Sequence, residues 1–346
     1  MKKFQLAAMA ATALVAFAGT AFAGPTLDAV KARGQLICGV NTGTAGFSAA
    51  NSQGVWTGID VDLCKAVAAA LWGDVSKVKY VPLTAQQRFT ALQSGEIDIL
   101  SRNTTATLTR DTSLGINFTG VNFYDGQGFM VPNKLGVKSA KELNGATVCV
   151  QPGTTTELNL ADYFRAQKME FKPVVIEKLE EVNNAYFSGR CDVYTTDASG
   201  LASIRATVAP KPEDHTILPE LISKEPLGPS VRHGDDQFSD LVRWAHFAML
   251  EAEEYGITSA NLDQMAKSDN PGIQRLLNVA GKDGKTAALG SLLGVPDTWA
   301  YNIIKLVGNY GESFERNVGM GSPLKLPRGS NALWSKGGLQ YAWPVR

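Results

Sequence analysis

Three short stretches gather the side chains that could handle a charged small molecule. Ser101 to Arg110 is a dense run of serine, asparagine and threonine closed by an arginine. A guanidinium presents a planar fork that a carboxylate fills with two parallel hydrogen bonds, which lysine cannot reproduce. The same stretch also reads as a solvated turn in which Arg110 packs near a helix start. Gln151-Pro152-Gly153-Thr154-Thr155-Thr156-Glu157 is a turn leading into a helix, where free N–H groups suit an anion and Gly153 allows close backbone approach. A plain helix cap made by Thr154 or Thr155 is the structural alternative, and both readings can hold for one residue. Asp197 closes the run Val193-Tyr194-Thr195-Thr196 and offers a carboxylate beyond a strand. The chain has no Ser-His-Asp order and no H-E-x-x-H motif, and Asp197 and Glu157 are the acid–base candidates in these loops.

Such residues need a scaffold that brings them together. From Gly24 onward short β-rich runs alternate with helical ones, the pattern of a mostly parallel sheet covered by helices. Strands are predicted over 35–40, 77–82, 95–100, 146–150, 172–176 and 190–194, with helices over 86–93, 155–167 and 183–188. Loops at the carboxyl ends of such strands converge on one crevice. Both halves close a helix in Ser-Gly and reach an aspartate three residues later, at Ser94-Gly95-Glu96-Ile97-Asp98 and Ser188-Gly189-Arg190-Cys191-Asp192. That echo suggests two lobes built alike. Phe238, Leu241, Val242, Ala245 and Met249 keep helical spacing and read as core.

At the amino end, Lys2 and Lys3 precede an apolar run from Phe4 to Phe17 and the triplet Ala21-Phe22-Ala23, the layout of a secretory signal peptide cleaved after Ala23. The run is shorter than the roughly 20 apolar residues that span a bilayer. The absence of a cysteine at the cleavage point argues against a lipid anchor, so a soluble periplasmic protein is expected. Removing Lys2 and Lys3 from 33 basic residues leaves 31 against 33 acidic ones, a net charge of −2. With no basic patch, nucleic acid and anionic membranes have no electrostatic hold on the chain. The cysteines lack any C-x-x-C pair and His215, His233 and His246 lie far from them in sequence, which argues against zinc; no cofactor is expected.

The run Gly58-Ile59-Asp60-Val61-Asp62-Leu63-Cys64-Lys65-Ala66-Val67-Ala68-Ala69-Ala70-Leu71 joins a glycine turn, two first-turn carboxylates and an apolar stripe of Leu63, Val67 and Leu71. On helix physics alone it is a well-capped helix. It also resembles, at every restricted position, the signature of the solute-binding proteins of polar amino-acid ABC transporters. The resemblance implies a two-lobed type II periplasmic binding fold, with a mostly parallel sheet flanked by helices in each lobe and a two-strand hinge. Lobe 1 would comprise 24–129 and 226–346, lobe 2 would comprise 130–225, and the crossings would lie at 122–131 and 225–231. A helical extension from about residue 256, including a helix over 297–310, runs past the family pattern. Disulfides Cys38–Cys64 and Cys149–Cys191, one per lobe, are expected, because a bridge between lobes would tether parts that must move.

The same resemblance implies the ligand contacts. Asn103, Thr105 and Arg110, with Thr154 and Thr155 from the second half, would hold the α-carboxylate of a bound amino acid, and Asp197 its α-ammonium. Asn41, Thr44 and Phe47 match the first ligand loop, with Thr44 where many relatives place an aromatic ring. Its G-x-x-x-G-x-x-G spacing has no acidic residue where a dinucleotide fingerprint requires one. Leu83-Thr84-Ala85-Gln86-Gln87-Arg88 resembles the corresponding loop of glutamate- and aspartate-binding members; Arg88 either faces the cleft and meets a ligand side chain or is a solvated charge on the outer helix face. The extension and the Asn-Thr-Thr variant resemble the general L-amino-acid-binding subgroup, which prefers acidic and amide side chains. A monomeric, non-catalytic receptor that delivers L-amino acids to a membrane permease is therefore expected. The alternatives are a periplasmic enzyme on the same fold, such as a dehydratase, and the sensor module of a signalling receptor.

Overall fold

The computed structural model describes residues 24–346. The signal-peptide reading of residues 1–23 lies outside the described residues. In the first lobe β1 (Leu36–Val40) pairs in parallel with β4 (Val78–Pro82) and β5 (Ile99–Leu100), and the order β4-β1-β5 is completed by the antiparallel β14 (Ser230–Arg232) and then β6 (Ile116–Phe118). A small hairpin, β2 (Ala49–Ala50) with β3 (Trp56–Thr57), sits on the loop after β1. The second sheet runs β10 (Lys172–Val175), β9 (Thr147–Val150), β11 (Val193–Asp197), β8 (Gln127–Pro132), β12 (His215–Ile217), parallel at β10-β9-β11 and antiparallel beyond. Its interior strand β9 is apolar and fully buried after its first residue, as a strand covered on both faces must be.

The crossing is narrower than the sequence suggests. Only β7 (Phe123–Asp125) and β13 (Glu225–Leu227) pair as hinge strands. Residues from Gln127 already hydrogen-bond into the second sheet, so that lobe begins three residues before the expected position 130. The strand expected over 95–100 is likewise reduced to Ile99–Leu100, because Gly95 turns left-handed and Asp98 is drawn aside to accept the Ile37 N–H at 2.8 Å. In the second half, Asp192 accepts the Thr147 N–H at the same 2.8 Å, so the Ser-Gly echo marks one device used twice: an aspartate that ties down the start of the neighbouring parallel strand. Cys191 consequently lies in the turn before β11 rather than on it. The disulfides Cys38–Cys64 and Cys149–Cys191 each close within one lobe.

Helices α1 (Pro25–Arg33), α2 (Ile59–Trp72), α3 (Gln87–Ser94), α4 (Leu108–Ser113) and α8 (Asp236–Glu254) belong to the first lobe, and α5 (Thr155–Ala166), α6 (Leu179–Phe187) and α7 (Ala198–Thr207) to the second. Gly58 enters α2 at φ 132°, and a Cβ there would lie 2.0 Å from the Phe47 carbonyl oxygen, so only glycine fits. Twelve of the fourteen α2 residues are buried, more than the one-sided stripe expected, because the extension covers the outer face. Neither Asp60 nor Asp62 caps the helix. Asp62 instead accepts from Ser313, Arg316 and Asn317 of the extension, whose helices are α9 (Leu262–Met265), α10 (Pro271–Leu277), α11 (Trp299–Leu306) and α12 (Tyr310–Asn317). The helix expected over 297–310 stops at Leu306: Gly308 turns left-handed, and Asn309 and Glu312 form a reciprocal capping box that starts α12 at Tyr310. Phe238, Leu241, Val242, Ala245 and Met249 are core residues of α8.

A cleft between the lobes as candidate ligand site

Loops from the carboxyl ends of β1, β5, β9 and β11 meet between the lobes, around a cavity of about 30 Å³. The lobes are closed on one another. Thr84 donates to Glu177 at 2.7 Å, Ser203 donates to the Ala45 carbonyl at 2.9 Å, and Asn103 donates to Asp197 at 3.3 Å. A ligand the size of an amino acid can enter only when the lobes part.

The first-lobe wall is set by Asp60. Its carboxylate accepts the Asn103 N–H at 2.8 Å, the Asn122 amide at 3.1 Å and the Ser101 hydroxyl at 3.3 Å. Burial raises its pKa to about 6 against the opposing pull of those donors. Asn103 thereby adopts φ +33°, and its side chain points both to Asn41, whose amide donates to it at 2.9 Å, and to Asp197. Arg88 and Arg102 line the cavity with Asn41, Asn103 and Thr105. Arg88 reaches across to the Gly153 carbonyl at 3.3 Å, while its Nε is buried with no hydrogen-bond partner. Of the two positions open to Arg88 from sequence, the cleft is the one observed. Burial, then the neighbouring Arg102 and Arg110, pushes its pKa well below the usual range, and burial lowers Arg102 to about 10.

Arg110 is one layer back. Its Nη1 donates to the Thr105 carbonyl at 2.9 Å, and its guanidinium and that of Arg88 both stack on Phe89, at 5.1 and 4.8 Å from the ring centre. Phe47 is not at the cleft: it is 1% exposed, packed edge-on against Phe123 at 5.1 Å in the first-lobe core. Thr44 is also buried away from the cavity, where it bridges to Ser48. The glycine-rich loop turns back on itself after Asn41, and this turn carries both residues out of reach.

In the second lobe Thr154 caps α5, accepting the Glu157 N–H at 3.1 Å, and its own proton goes to the Gln151 carbonyl at 2.8 Å. Gly153, at φ +71°, brings this backbone against Gln86 of the first lobe. Asp197 ends β11 and makes no cap bond to α7, leaving its carboxylate for the cleft. Burial, with Asp125 and Glu225 nearby, holds it well above the usual carboxylate range. Asp125 is raised to about 6, first by burial, although Ser199 and Gly126 donate to it.

Sequence reasoning missed Arg102, Asp125 and Glu225. Arg102 sits beside residues that were singled out, and its burial was the absent signal. Glu225, 1% exposed on hinge strand β13, accepts from the Thr105 and Thr155 hydroxyls, which makes it the meeting point of both lobes. Arg88, Arg102 and Asp197 therefore line one small cavity, with Arg110 and Glu225 buried behind them. This arrangement suits a molecule carrying both charges. Among the described residues no group of three or more His, Cys, Asp and Glu could hold a metal ion, and no helix is long and apolar enough to cross a membrane.

Residues 36–261 match the family model of bacterial extracellular solute-binding proteins, family 3. The chain is 60% identical to the general L-amino acid-binding periplasmic protein AapJ of Rhizobium johnstonii over 346 residues, all of both chains. It is 56% identical to the glutamate/glutamine/aspartate/asparagine-binding protein BztA of Rhodobacter capsulatus over 335 residues, 96% of this chain and 97% of the relative. Among solved structures, an ABC transporter / periplasmic binding protein from Brucella ovis with glutathione bound superposes with a TM-score of 0.90 at 61% identity, covering 93% of this chain and 99% of that one.

Proposed function

Because the chain belongs to the bacterial extracellular solute-binding proteins, family 3, we propose that it captures L-amino acids by cleft closure and delivers them to the permease of an ABC importer. The observation that carries this reading is the burial of opposite charges on facing lobes: Arg88, Arg102 and Arg110 on one side and Asp197 on the other. An α-amino acid brings a carboxylate and an ammonium on one carbon, and only a closed cleft meets both. In this reading Arg110, Asn103 and the backbone around Thr105, Thr154 and Thr155 receive the α-carboxylate, and Asp197 receives the ammonium. Arg88, with a free buried Nε, and Asn41 form the side-chain pocket and favour acidic and amide ligands. The protein acts as a monomer in the periplasm after loss of residues 1–23. A mature protein that begins at Gly24 by amino-terminal sequencing supports that export route.

A dehydratase on this fold is disfavoured, because relatives matched from end to end are named as binding proteins. Titration calorimetry with L-glutamate, L-glutamine, L-aspartate, L-asparagine and a neutral aliphatic amino acid, followed by mass analysis of the recovered ligand, tests the reading. Tight binding with unchanged ligand supports capture, and turnover or no binding of any of them overturns it. A second reading follows from the Brucella ovis relative: glutathione carries a free α-amino-acid head on its glutamyl end. Competition of glutathione against glutamate tests it.

A further inference from the structure

Glu225 has four donors and no solvent. Its Oε2 accepts the Thr105 hydroxyl at 2.5 Å and the Thr155 hydroxyl at 2.9 Å, and its Oε1 accepts the Ser223 hydroxyl at 2.5 Å and the Asn159 amide at 2.8 Å. Ser223 and Asn159 fix the carboxylate from the second-lobe side, so it cannot swing aside when a ligand enters. Thr105 comes from the first lobe and Thr155 from the second, and their oxygens stand 3.4 Å apart at the cavity wall.

A hydroxyl has a single proton and two lone pairs. With both protons directed to Glu225, Thr105 and Thr155 have none to offer a ligand carboxylate through their side chains, and they turn lone pairs toward the cavity. We propose that Glu225 is a positioning residue that makes these two hydroxyls acceptors, so that with Asp197 they form a three-acceptor receptor for the three N–H donors of an ammonium. The carboxylate end is then left to the arginines and to backbone N–H groups. Because the two hydroxyls come from different lobes, the receptor is complete only in the closed form, which ties closure to the presence of the ammonium. The proposal rests on the amino-acid reading above and names which groups discriminate its head group.

The test is Glu225→Gln, with L-glutamate and (S)-2-hydroxyglutarate as probes measured by competition calorimetry. The amide has lost the charge and one acceptor oxygen, which weakens the hold on both threonine protons and, where its NH2 faces them, makes a threonine hydroxyl accept and turn its proton into the cavity. The expected result is a roughly tenfold or greater loss of glutamate affinity, with hydroxyglutarate changed far less, so that the discrimination between them shrinks. Thr155→Val should reproduce this loss and Thr155→Ser should restore affinity, which keeps the test valid if the Gln variant does not fold. Equal weakening of both probes, or no weakening of glutamate, overturns the role of Glu225. A wild-type protein that binds neither probe nor any amino acid overturns the amino-acid reading, and this one with it.

Discussion

Asn103 and Asp197 meet across the cleft, the side-chain amide of one lobe donating to the buried carboxylate of the other at 3.3 Å. A neutral amide is a poor partner for a buried carboxylate, and an ammonium in its place would supply a charged donor. Asp197→Ala is expected to leave the fold intact, since the residue makes no cap bond to α7, while glutamate affinity falls by two orders of magnitude or more. That figure follows from roughly 3–5 kcal/mol for leaving a buried charge unpaired. Arg110→Ala should do the same from the other end. Near-normal affinity by calorimetry in either variant would sink the head-group assignment.

The pH dependence of binding carries a defined sign. Burial, followed by Asp125 and Glu225, keeps a proton on Asp197 well above the usual carboxylate range in the ligand-free closed protein. An ammonium favours the charged carboxylate, so the bound form holds that proton less tightly than the free form. Binding must then release a proton, and affinity must rise with pH until Asp197 is ionised without ligand as well. Calorimetry in buffers of different ionisation enthalpy reads the proton directly. Proton uptake, or an affinity that does not rise as the pH climbs above the usual carboxylate range, contradicts the mechanism.

Arg88 links affinity to instability. Its guanidinium is buried, its Nε has no partner, and its charge is opposed by burial and by two neighbouring arginines. Arg88→Met removes a desolvated charge that two neighbouring arginines repel, and should raise the melting temperature of the ligand-free protein. It should also weaken glutamate much more than a neutral ligand. A melting temperature that falls, or equal loss for both ligands, removes Arg88 from the side-chain pocket.

What could be read from sequence was the part encoded locally. The Gly58 turn and α2, the strands that open each lobe and the paired Ser-Gly-x-x-Asp turns all depend on neighbours a few residues apart. Glu225 has no such signature. Apart from Ser223 two residues before it, its partners Asn159, Thr155 and Thr105 lie 66, 70 and 120 residues away, and an acid on an extended hinge strand has no periodicity to mark it. Phe47 follows a glycine-rich loop as well as a ligand platform would. Its place in the core is decided by Phe123 in the hinge, which itself stacks on Phe314 of α12, both remote in sequence. The break in the helix over 297–310 was present as Asn309-x-x-Glu312, but a hydrophobic pattern that continues across the junction hides a capping box.

The extension grips the hinge through Asn331, and this gives the last expectation. The Asn331 side chain accepts the Tyr124 N–H at 2.7 Å and donates to the Tyr124 carbonyl at 3.0 Å, pairing with hinge strand β7 as a further strand would. One residue before β7, the Tyr310 hydroxyl donates to the Asn122 carbonyl at 2.8 Å, and the Asn122 amide in turn supports Asp60 beneath the cleft loop. The first-lobe end of the hinge is thus tied to the extension, and bending is expected toward Asp125 and Gly126. Asn331→Ala removes two hydrogen bonds from a half-buried backbone and should cost about 1–3 kcal/mol of stability. If the grip fixes where the hinge bends, the variant will also change the ligand-free radius of gyration in solution scattering and the rate of closure in stopped-flow fluorescence. A variant that loses stability while scattering and closure rate stay at wild-type values would make Asn331 a structural tie with no part in the motion.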